Sequence, residues 1–307
     1  KIRTQVLPAG SSSIADFFII NELNLRGNKT LAVELIDPSG QKVFSKTFDV
    51  KILGGEEFGQ LLVEGMQLPA MNEPGYYTVD AAIKTKDKVE ATGSDRIFVV
   101  DYLTSSGLKG KGAVIDTSGV INAFLKESRG ITLPDYDPSS TDLDFIIIGR
   151  HETGRSGRRR ANPELMDMVV NGTTLIVLDQ ADSWAQRMDN QSLRYINSLR
   201  GGSSGRFFVG ESRFLNGLPQ AQSMNWEYQV FYSRRPSALN IDFLGTELIV
   251  GSASQGRKEI GSALTRIPFG TGQIFLSTLG ILSELSSDKP QSVVAKKLFL
   301  NLLELSE

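Results

Sequence analysis

One loop of the chain gathers side chains that can move protons or bind anions. It begins with His151, the only histidine, and Glu152. An imidazole beside a carboxylate can act as a proton-transfer pair, whereas a zinc site normally requires three or more protein ligands. The arginines that follow are Arg155, Arg158, Arg159 and Arg160. Guanidinium groups bind phosphate, sulfate or carboxylate through paired hydrogen bonds, so this loop predicts an anion-binding or ligand-binding site.

The loop residues that we expect to contact a ligand are His151, Glu152, Arg155 and Arg158. Two alternatives remain open for the arginines, namely solvated surface charge and an interface with an acidic surface of another domain. For the histidine, the alternative is packing within a surface loop.

An aromatic cluster is the second candidate for binding. Its members are Trp226, Tyr228, Phe231 and Tyr232. Aromatic rings with a polar edge are common where one side of the ring is apolar and the other is wet. Trp226 and Tyr228 are therefore candidates for stacking against a sugar ring. Packing in the core or against another domain is the alternative interpretation.

Several catalytic classes lack the residues that they need. The sequence contains no cysteine, which excludes disulfides, thiolate metal sites and cysteine nucleophiles. The glycine-rich segment Gly201–Gly205 lacks the Lys-Ser/Thr ending of a phosphate-binding loop. Ser118 does not lie in a Gly-x-Ser-x-Gly elbow. The sequence therefore predicts no catalytic residue, no cofactor and no metal ion.

The element that must position the loop is the segment Leu143–Gly149, which contains three consecutive isoleucines. A strand without a polar face is covered on both sides, as central strands of parallel α/β sheets are. Ligands of such sheets bind outside the carboxyl ends of the strands. The loop after Gly149 is therefore the place where this half of the chain is expected to bind a ligand.

Composition limits the remaining function classes. The chain has 307 residues, enough for two domains, and its net charge of −2 gives no reason to expect nucleic-acid binding. No apolar run reaches the ~18–20 residues that are needed to cross a bilayer. The chain begins at Lys1 rather than at a methionine, without an apolar signal region, which favours a piece cut from a longer protein.

Residues 1–104 are predicted to form one all-β domain. Short alternating segments, separated by turns such as Asp37–Gly40, are typical of a β-sandwich. The predicted strands are Ile14–Leu25, Leu31–Ile36, Lys42–Val50, Tyr76–Ile83 and Arg96–Val100. Tyr76 or Tyr77 is expected to bond back to the backbone at a strand corner, with simple half-burial as the alternative.

Residues 105–307 are predicted to form a second domain of the α/β class, after a polar linker at Thr104–Lys111. Strands alternate with helices, which indicates a parallel sheet covered on both faces. The predicted strands are Gly112–Asp116, Ile131–Leu133, Leu143–Gly149, Thr173–Leu178, Arg206–Val209, Glu247–Val250, Leu264–Ile267 and Gln273–Thr278. The predicted helices are one capped by Ser118, one starting at Pro163, Ser192–Leu199 and Gln291–Leu305.

Two segments resemble a known fold. Val170–Gln180, VNGTTLIVLDQ, resembles the helix, Asn-Gly-Gly and strand step of class I glutamine-amidotransferase-like domains. Ile267–Leu279, followed by the helix that ends in LFLNLL, resembles the close of that fold near the C-terminus of large family 2 glycoside hydrolases. In those enzymes an immunoglobulin-like sandwich precedes the domain. Similar modules occur in trehalose-utilisation-type proteins and in family 42 β-galactosidases.

The resemblance implies an immunoglobulin-like β-sandwich followed by a flavodoxin-like, class I glutamine-amidotransferase-like three-layer domain. It implies no active site, because the turn that carries the amidotransferase cysteine reads Asp179-Gln180-Ala181 here, and His151 lies upstream of it. The implied function is a non-catalytic accessory region of a β-galactosidase-like glycoside hydrolase, in the periplasm or secreted. Its expected partners are the catalytic domains of the parent enzyme, with carbohydrate as a second expected partner. The alternatives are a stand-alone hydrolase of the trehalose-utilisation type and a carbohydrate-binding module.

Overall fold

The structure is a computed structural model that describes residues 1–56, 58–86, 88–104, 108–151, 163–188, 194–199, 207–234, 237–254 and 259–304. The chain divides into two compact units, Lys1–Asp101 and Tyr102–Glu307. The predicted boundary fell at residue 104. Tyr102 and Leu103 belong with the second unit because their carbonyl oxygens accept hydrogen bonds from the guanidinium of Arg129.

The first unit is built from strands. They are β1 (Val6–Pro8), β2 (Ile14–Ile20), β3 (Gly27–Ile36), β4 (Lys42–Ile52), β5 (Gly59–Gln67), β6 (Gly75–Thr85) and β7 (Lys88–Val100). One sheet has the order β1-β7-β6-β3-β4, and β2 pairs with β5 in a second, antiparallel sheet. All five predicted strands of this region lie wholly or partly within observed ones, whereas β1 and β5 were not predicted.

The two sheets share one apolar core. Ala15 and Phe17 of β2 and Met66 of β5 pack in the same cluster as residues of β3, β6 and β7. Alternation along the strands produces this arrangement, since every second side chain of a strand points to the same face. Tyr77 is buried, and its hydroxyl accepts a hydrogen bond from the backbone N–H of Glu73 at 3.2 Å. Tyr77 therefore makes a hydrogen bond to the backbone, as expected for one of the two tyrosines.

The second unit contains helices and strands. Its strands are β8 (Gly112–Ile115), β9 (Phe145–Ile148), β10 (Thr174–Val177), β11 (Arg194–Leu199), β12 (Phe207–Val209), β13 (Gln222–Ser223), β14 (Ala238–Asp242), β15 (Glu247–Ser254), β16 (Glu259–Phe269) and β17 (Gly272–Ser277). Its α-helices are α1 (Val120–Arg129), α2 (Pro163–Val170), α3 (Ala181–Met188), α4 (Ile281–Leu285) and α5 (Val293–Glu304). Short 3₁₀ segments lie at Arg213–Leu215, Trp226–Arg234 and Pro290–Ser292.

The main sheet of this unit is mixed rather than purely parallel. Its order is β13-β12-β15-β16-β17-β10-β9-β8, and the neighbouring strands β8, β9, β10 and β17 pair in parallel. The hairpin between β16 and β17 reverses the chain, so the strands beyond it pair in antiparallel fashion. The predicted parallel sheet is therefore correct for one half, and the other half is antiparallel.

Apolar residues cover both faces of the parallel strands. Ile146 and Ile148 of β9 pack with Leu165 of α2 and Trp184 of α3. The alternate residue Ile147 is fully buried as well. On the opposite face, Phe275 of β17 packs against Phe214, and the centroids of the two rings are 4.8 Å apart. The side-chain amide of Asn301, in α5, donates to the carbonyl of Phe214. Burial on both faces explains why β9 and β10 have no exposed position.

Two predicted elements are wrong. Arg194–Leu199 is strand β11, paired with β14, and not a helix. Residues 131–134 form no strand, and Asp135 makes a single parallel bridge to Val114 of β8. Pro134 has no backbone N–H, so a continuous ladder through this segment cannot form. Val170, the last residue of α2, is exposed.

Candidate functional site

The carboxyl ends of β8, β9 and β10 lie at one edge of the sheet. The segment around Asp135 borders β8 on one side and β9 borders it on the other. The chain thus leaves β8 in one direction and returns to the opposite side of β8 as β9. In open α/β sheets, a reversal of this kind is the usual position of a ligand crevice. The predicted loop after Gly149 therefore begins at this reversal.

Asp116, directly after β8, is the centre of the hydrogen bonds at this edge. Its Oδ1 accepts from Ser118 N at 3.1 Å, from Ser118 Oγ at 2.6 Å and from Arg150 N at 3.0 Å. Its Oδ2 accepts from the N–H of Ile121 at 3.2 Å. The carboxylate consequently satisfies a free N–H group in the first turn of α1 and joins that turn to the end of β9.

The cap of α1 differs from the prediction. The residue at the N-cap is Gly119, with φ of 69°, rather than Ser118. The hydroxyl of Ser118 donates to Asp116 at 2.6 Å and accepts the N–H of Val120, the first residue of α1, at 3.5 Å. Asp116 was not singled out from the sequence as a structural residue. The indication available was a carboxylate directly after an apolar strand.

The ends of β8 and β9 approach each other closely. The backbone N–H and the hydroxyl of Thr117 both donate to the carbonyl oxygen of Arg150, at 2.8 and 3.0 Å. A Cβ atom on Gly149 would lie 2.7 Å from Cγ of Asp116 and 2.8 Å from Cδ1 of Ile121. Only glycine therefore fits at the end of β9, which explains why the run of isoleucines ends there.

Gln180 occupies a strained turn between β10 and α3. Its φ is 53°, in the left-handed region that residues with a side chain rarely adopt. Its carbonyl accepts from Trp184 N at 3.0 Å, as the first turn of the helix requires, and its side-chain amide donates to the carbonyl of His151 at 3.3 Å. A strand, a strained turn and a helix are also the parts of a nucleophile elbow. An amide cannot serve as the nucleophile, so this turn positions a hydrogen-bond donor instead.

Charge at the edge is modest. Asp179 lies beside Gln180, and its Oδ2 is 4.0 Å from Nε of Arg150. Two-thirds of the arginine side chain is exposed, and an exposed ion pair of this length contributes little to stability. No three His, Asp or Glu side chains lie close enough together, within the described ranges, to hold a metal ion.

The structure brings together only part of the predicted loop. His151 is half-buried and lies beside Gln180 through the hydrogen bond to its carbonyl. Glu152, Arg155, Arg158, Arg159 and Arg160 lie outside the described residues. The ligand-binding prediction for this loop therefore stays a prediction.

The aromatic cluster lies on the 3₁₀ segment Trp226–Arg234. Tyr228 and Phe231 are fully buried and stack on each other, with ring centroids 6.4 Å apart, and the Tyr228 hydroxyl donates to the carbonyl of Pro219. Burial, followed by the charge of Glu227, raises the pKa of Tyr232 to about 12. The buried ring of Tyr228 presents no face to a ligand. Trp226 is half-buried, and its expected role in sugar binding stays a prediction.

No helix in the described part of the chain is long and apolar enough to span a membrane. No protein-family model matches the chain, and no curated protein matches it.

Several solved structures are weakly similar. An exo-β-1,4-mannosidase from Opitutaceae bacterium strain TAV5 is 14% identical with a TM-score of 0.35, and the match covers 60% of this chain and 30% of the mannosidase. A β-glucuronidase from glycoside hydrolase family 2 is 16% identical with a TM-score of 0.28, covering 61% and 22%. A Parabacteroides merdae β-glucuronidase is 16% identical with a TM-score of 0.24, covering 58% and 23%. Matches this weak establish neither a family nor an activity, and they span less than a third of each enzyme.

Proposed function

We propose that this chain is a non-catalytic accessory region of a larger glycoside hydrolase. In this proposal, residues 1–104 are an immunoglobulin-like sandwich and residues 105–307 a class I glutamine-amidotransferase-like domain of the flavodoxin type. The region packs on the catalytic domains of its parent enzyme or mediates oligomer contacts. The sequence motifs at Val170–Gln180 and Ile267–Leu279 support this assignment.

The strand order of the second unit supports the flavodoxin-type assignment. With the segment at Asp135 counted as a rudimentary second strand, the parallel part has the spatial order 2-1-3-4-5, formed by that segment, β8, β9, β10 and β17. Flavodoxin-like sheets have the same order. The two facing sheets of the first unit support the sandwich in the same way.

The non-catalytic assignment depends mainly on the residue type at position 180, which is glutamine. The position that would hold a nucleophile has the strained backbone of an elbow but carries an amide, and that amide donates to the carbonyl of His151. Asp116, the carboxylate after the neighbouring strand, accepts four hydrogen bonds from structural donors. Both residues therefore hold the edge together.

The experiment is a turnover assay of the purified 307-residue chain with aryl glycosides and with glutamine. We expect no turnover of either substrate class. A preparation of the Gln180→Gly variant, which keeps the left-handed backbone, provides the comparison and should give the same background. Turnover that copurifies with the chain and disappears in His151→Ala would contradict the proposal and favour a stand-alone hydrolase of the trehalose-utilisation type.

The gene region upstream of Lys1 provides an independent test. We expect it to encode a barrel with the two carboxylates that glycoside hydrolysis requires. A start codon close to Lys1, with no such barrel upstream, would contradict the proposed accessory role.

A further inference from the structure

A cavity of about 420 Å³ lies at the end of the sheet opposite to Asp116. It is lined at the amino ends of three parallel strands, by Phe145 of β9, Thr174 of β10 and Gln273 of β17. Its volume falls in the range of small-molecule sites, roughly 300–1,000 Å³. An inorganic ion fills only a fraction of such a space, since one water takes about 30 Å³ of the liquid.

Positive charge dominates the lining. Lys109, Arg213 and Arg266 contribute cations, and Asp144 contributes the one carboxylate among the described lining residues. That carboxylate already accepts the backbone N–H of Lys111 at 2.6 Å. A cavity with one dominant sign of charge concentrates ligands of the opposite sign. The charge therefore favours an anion.

A buried polar chain fixes the guanidinium of Arg266. Gln273 and Thr174, exposed to 6% and 5%, are linked by a hydrogen bond of 3.2 Å from Nε2 of Gln273 to Oγ1 of Thr174. Nε of Arg266 donates to Oε1 of Gln273, and its Nη1 lies 3.8 Å from Oε2 of Glu247. A guanidinium has five N–H donors, so donors remain for a ligand after these contacts. A side chain held in this way loses little freedom when it binds a carboxylate.

The rest of the lining combines hydroxyl and apolar groups. Thr271 provides a hydroxyl that donates to the carbonyl of Val170 and keeps its acceptor capacity, while Phe145 and Leu303 provide apolar surface. The turn at Gly272 packs so tightly that a Cβ there would lie 2.2 Å from the carbonyl oxygen of Val169. A ligand with hydroxyls, a C–H surface and one acidic group matches all of these features.

We propose that this cavity binds a small polyhydroxy carboxylate of the sugar-acid class. The carboxylate faces Arg266, with Arg213 and Lys109 at the mouth, and the hydroxyls meet Thr174, Gln273 and Thr271. The inference rests on the lining of the cavity alone and does not depend on the proposed function.

The test is calorimetric titration of the 307-residue chain with D-glucuronate, D-gluconate, D-glucose and sulfate. We expect saturable binding of both sugar acids that weakens as salt is added, and no binding of glucose. The double variant Lys109→Met/Arg213→Met removes two exposed cations and should keep the fold, with affinity for glucuronate reduced by about tenfold or more. The matched control is Lys126→Met, an exposed lysine in the last turn of α1, which should bind as the unmodified chain does.

Arg266→Met should abolish binding, and its fold is checked by circular dichroism. If that variant is unfolded, the double variant decides the question. Absence of saturable glucuronate binding, or glucose binding of equal affinity, would overturn the proposal. Sulfate binding as tightly as glucuronate would also overturn it, because the site would then recognise charge alone.

Discussion

The carboxylate of Asp116 accepts the backbone N–H of Arg150 at 3.0 Å, across the junction between the ends of β8 and β9. These two residues are separated along the chain by α1 and the segment that returns to β9. One acidic side chain therefore closes a long connection at the edge where the fold reverses direction. A carboxylate at the carboxyl end of a strand is often catalytic. Here, however, its oxygens accept hydrogen bonds from backbone N–H groups and from the hydroxyl of Ser118.

Replacing Asp116 with alanine should destabilise the second unit. Its hydrogen bonds involve a charged acceptor, and loss of such a bond costs about 1.5–3 kcal/mol. The measurement is urea-induced unfolding followed by circular dichroism. Asp137→Ala is the matched control, since Asp137 accepts from Ser139 within its own exposed turn, and its loss should lower the stability far less. Equal losses in the two variants would contradict the role assigned to Asp116.

Glycine at position 180 should be nearly neutral for stability, because relief of the left-handed strain offsets the lost hydrogen bond to the carbonyl of His151. Gln180 has a φ of 53°, and glycine adopts this region without the steric cost that a side chain incurs. The control is Gln186→Gly, at an exposed position within α3, where glycine costs about 1 kcal/mol in helix stability. Gln180→Val should lose about 1–3 kcal/mol because a β-branched residue fits this region poorly. Thermal unfolding of the three variants gives the order, and a loss in Gln180→Gly as large as in Gln186→Gly would refute the strain.

Removing one partner of the buried ion pair between Arg129 and Glu304 should strongly destabilise the second unit. The two side chains are only 8% and 10% exposed, and their closest atoms are 3.2 Å apart. Arg129→Met leaves a buried carboxylate without its cation and should cost about 3–5 kcal/mol. Lys111→Met is the control, because the Lys111–Asp142 pair is largely exposed and should change stability little. The double variant Arg129→Met/Glu304→Leu should recover part of the loss, since the hydrogen bonds from Arg129 to the carbonyls of Tyr102 and Leu103 stay absent. A double variant no more stable than Arg129→Met would contradict this.

Acid should weaken the pairing of β2 with β5. Hydrogen bonds from Arg3, and then from the N–H of Gly65, lower the pKa of Asp16 from its usual 3.8 to about 2. A lowered pKa means that the stabilisation is complete above pH 3.8 and is lost as the pH falls through about 2. Hydrogen exchange of the β2 amides, relative to intrinsic rates, should therefore show less protection below this window.

The Asp16→Asn variant should show a smaller change in β2 protection over the same window, and Arg3→Met should shift the loss to higher pH. A change in protection that is identical in Asp16→Asn and the unmodified chain would assign the acid effect to other groups.

Sequence patterns correctly predicted the strands that are buried on both faces. β9 and β10 are apolar on both faces, and such runs are unambiguous once their length excludes a helix. Ser192–Leu199 was assigned to a short helix, but pairing of β11 with β14 decided the outcome. Local spacing cannot reveal a partner strand that lies about forty residues further along the chain.

The candidate edge was predictable in position but not in detail. The rule for parallel sheets located it after Gly149. The roles of Asp116 and Gln180 arise from contacts between three separate strand ends. The residue types alone do not predict these roles. The cavity near Arg266 was not predicted, because Lys109, Arg213 and Arg266 are scattered along the chain and meet only through the fold.

The turn at Gln180 also makes the chain suitable for single-site chemical labelling. The sequence contains no cysteine, so a Gln180→Cys variant would carry one thiol, at the amino end of α3. A helix amino terminus stabilises the thiolate and so increases its reactivity towards maleimides and disulfide reagents. A fluorophore or spin label attached there would report directly on what approaches the ends of β9 and β10.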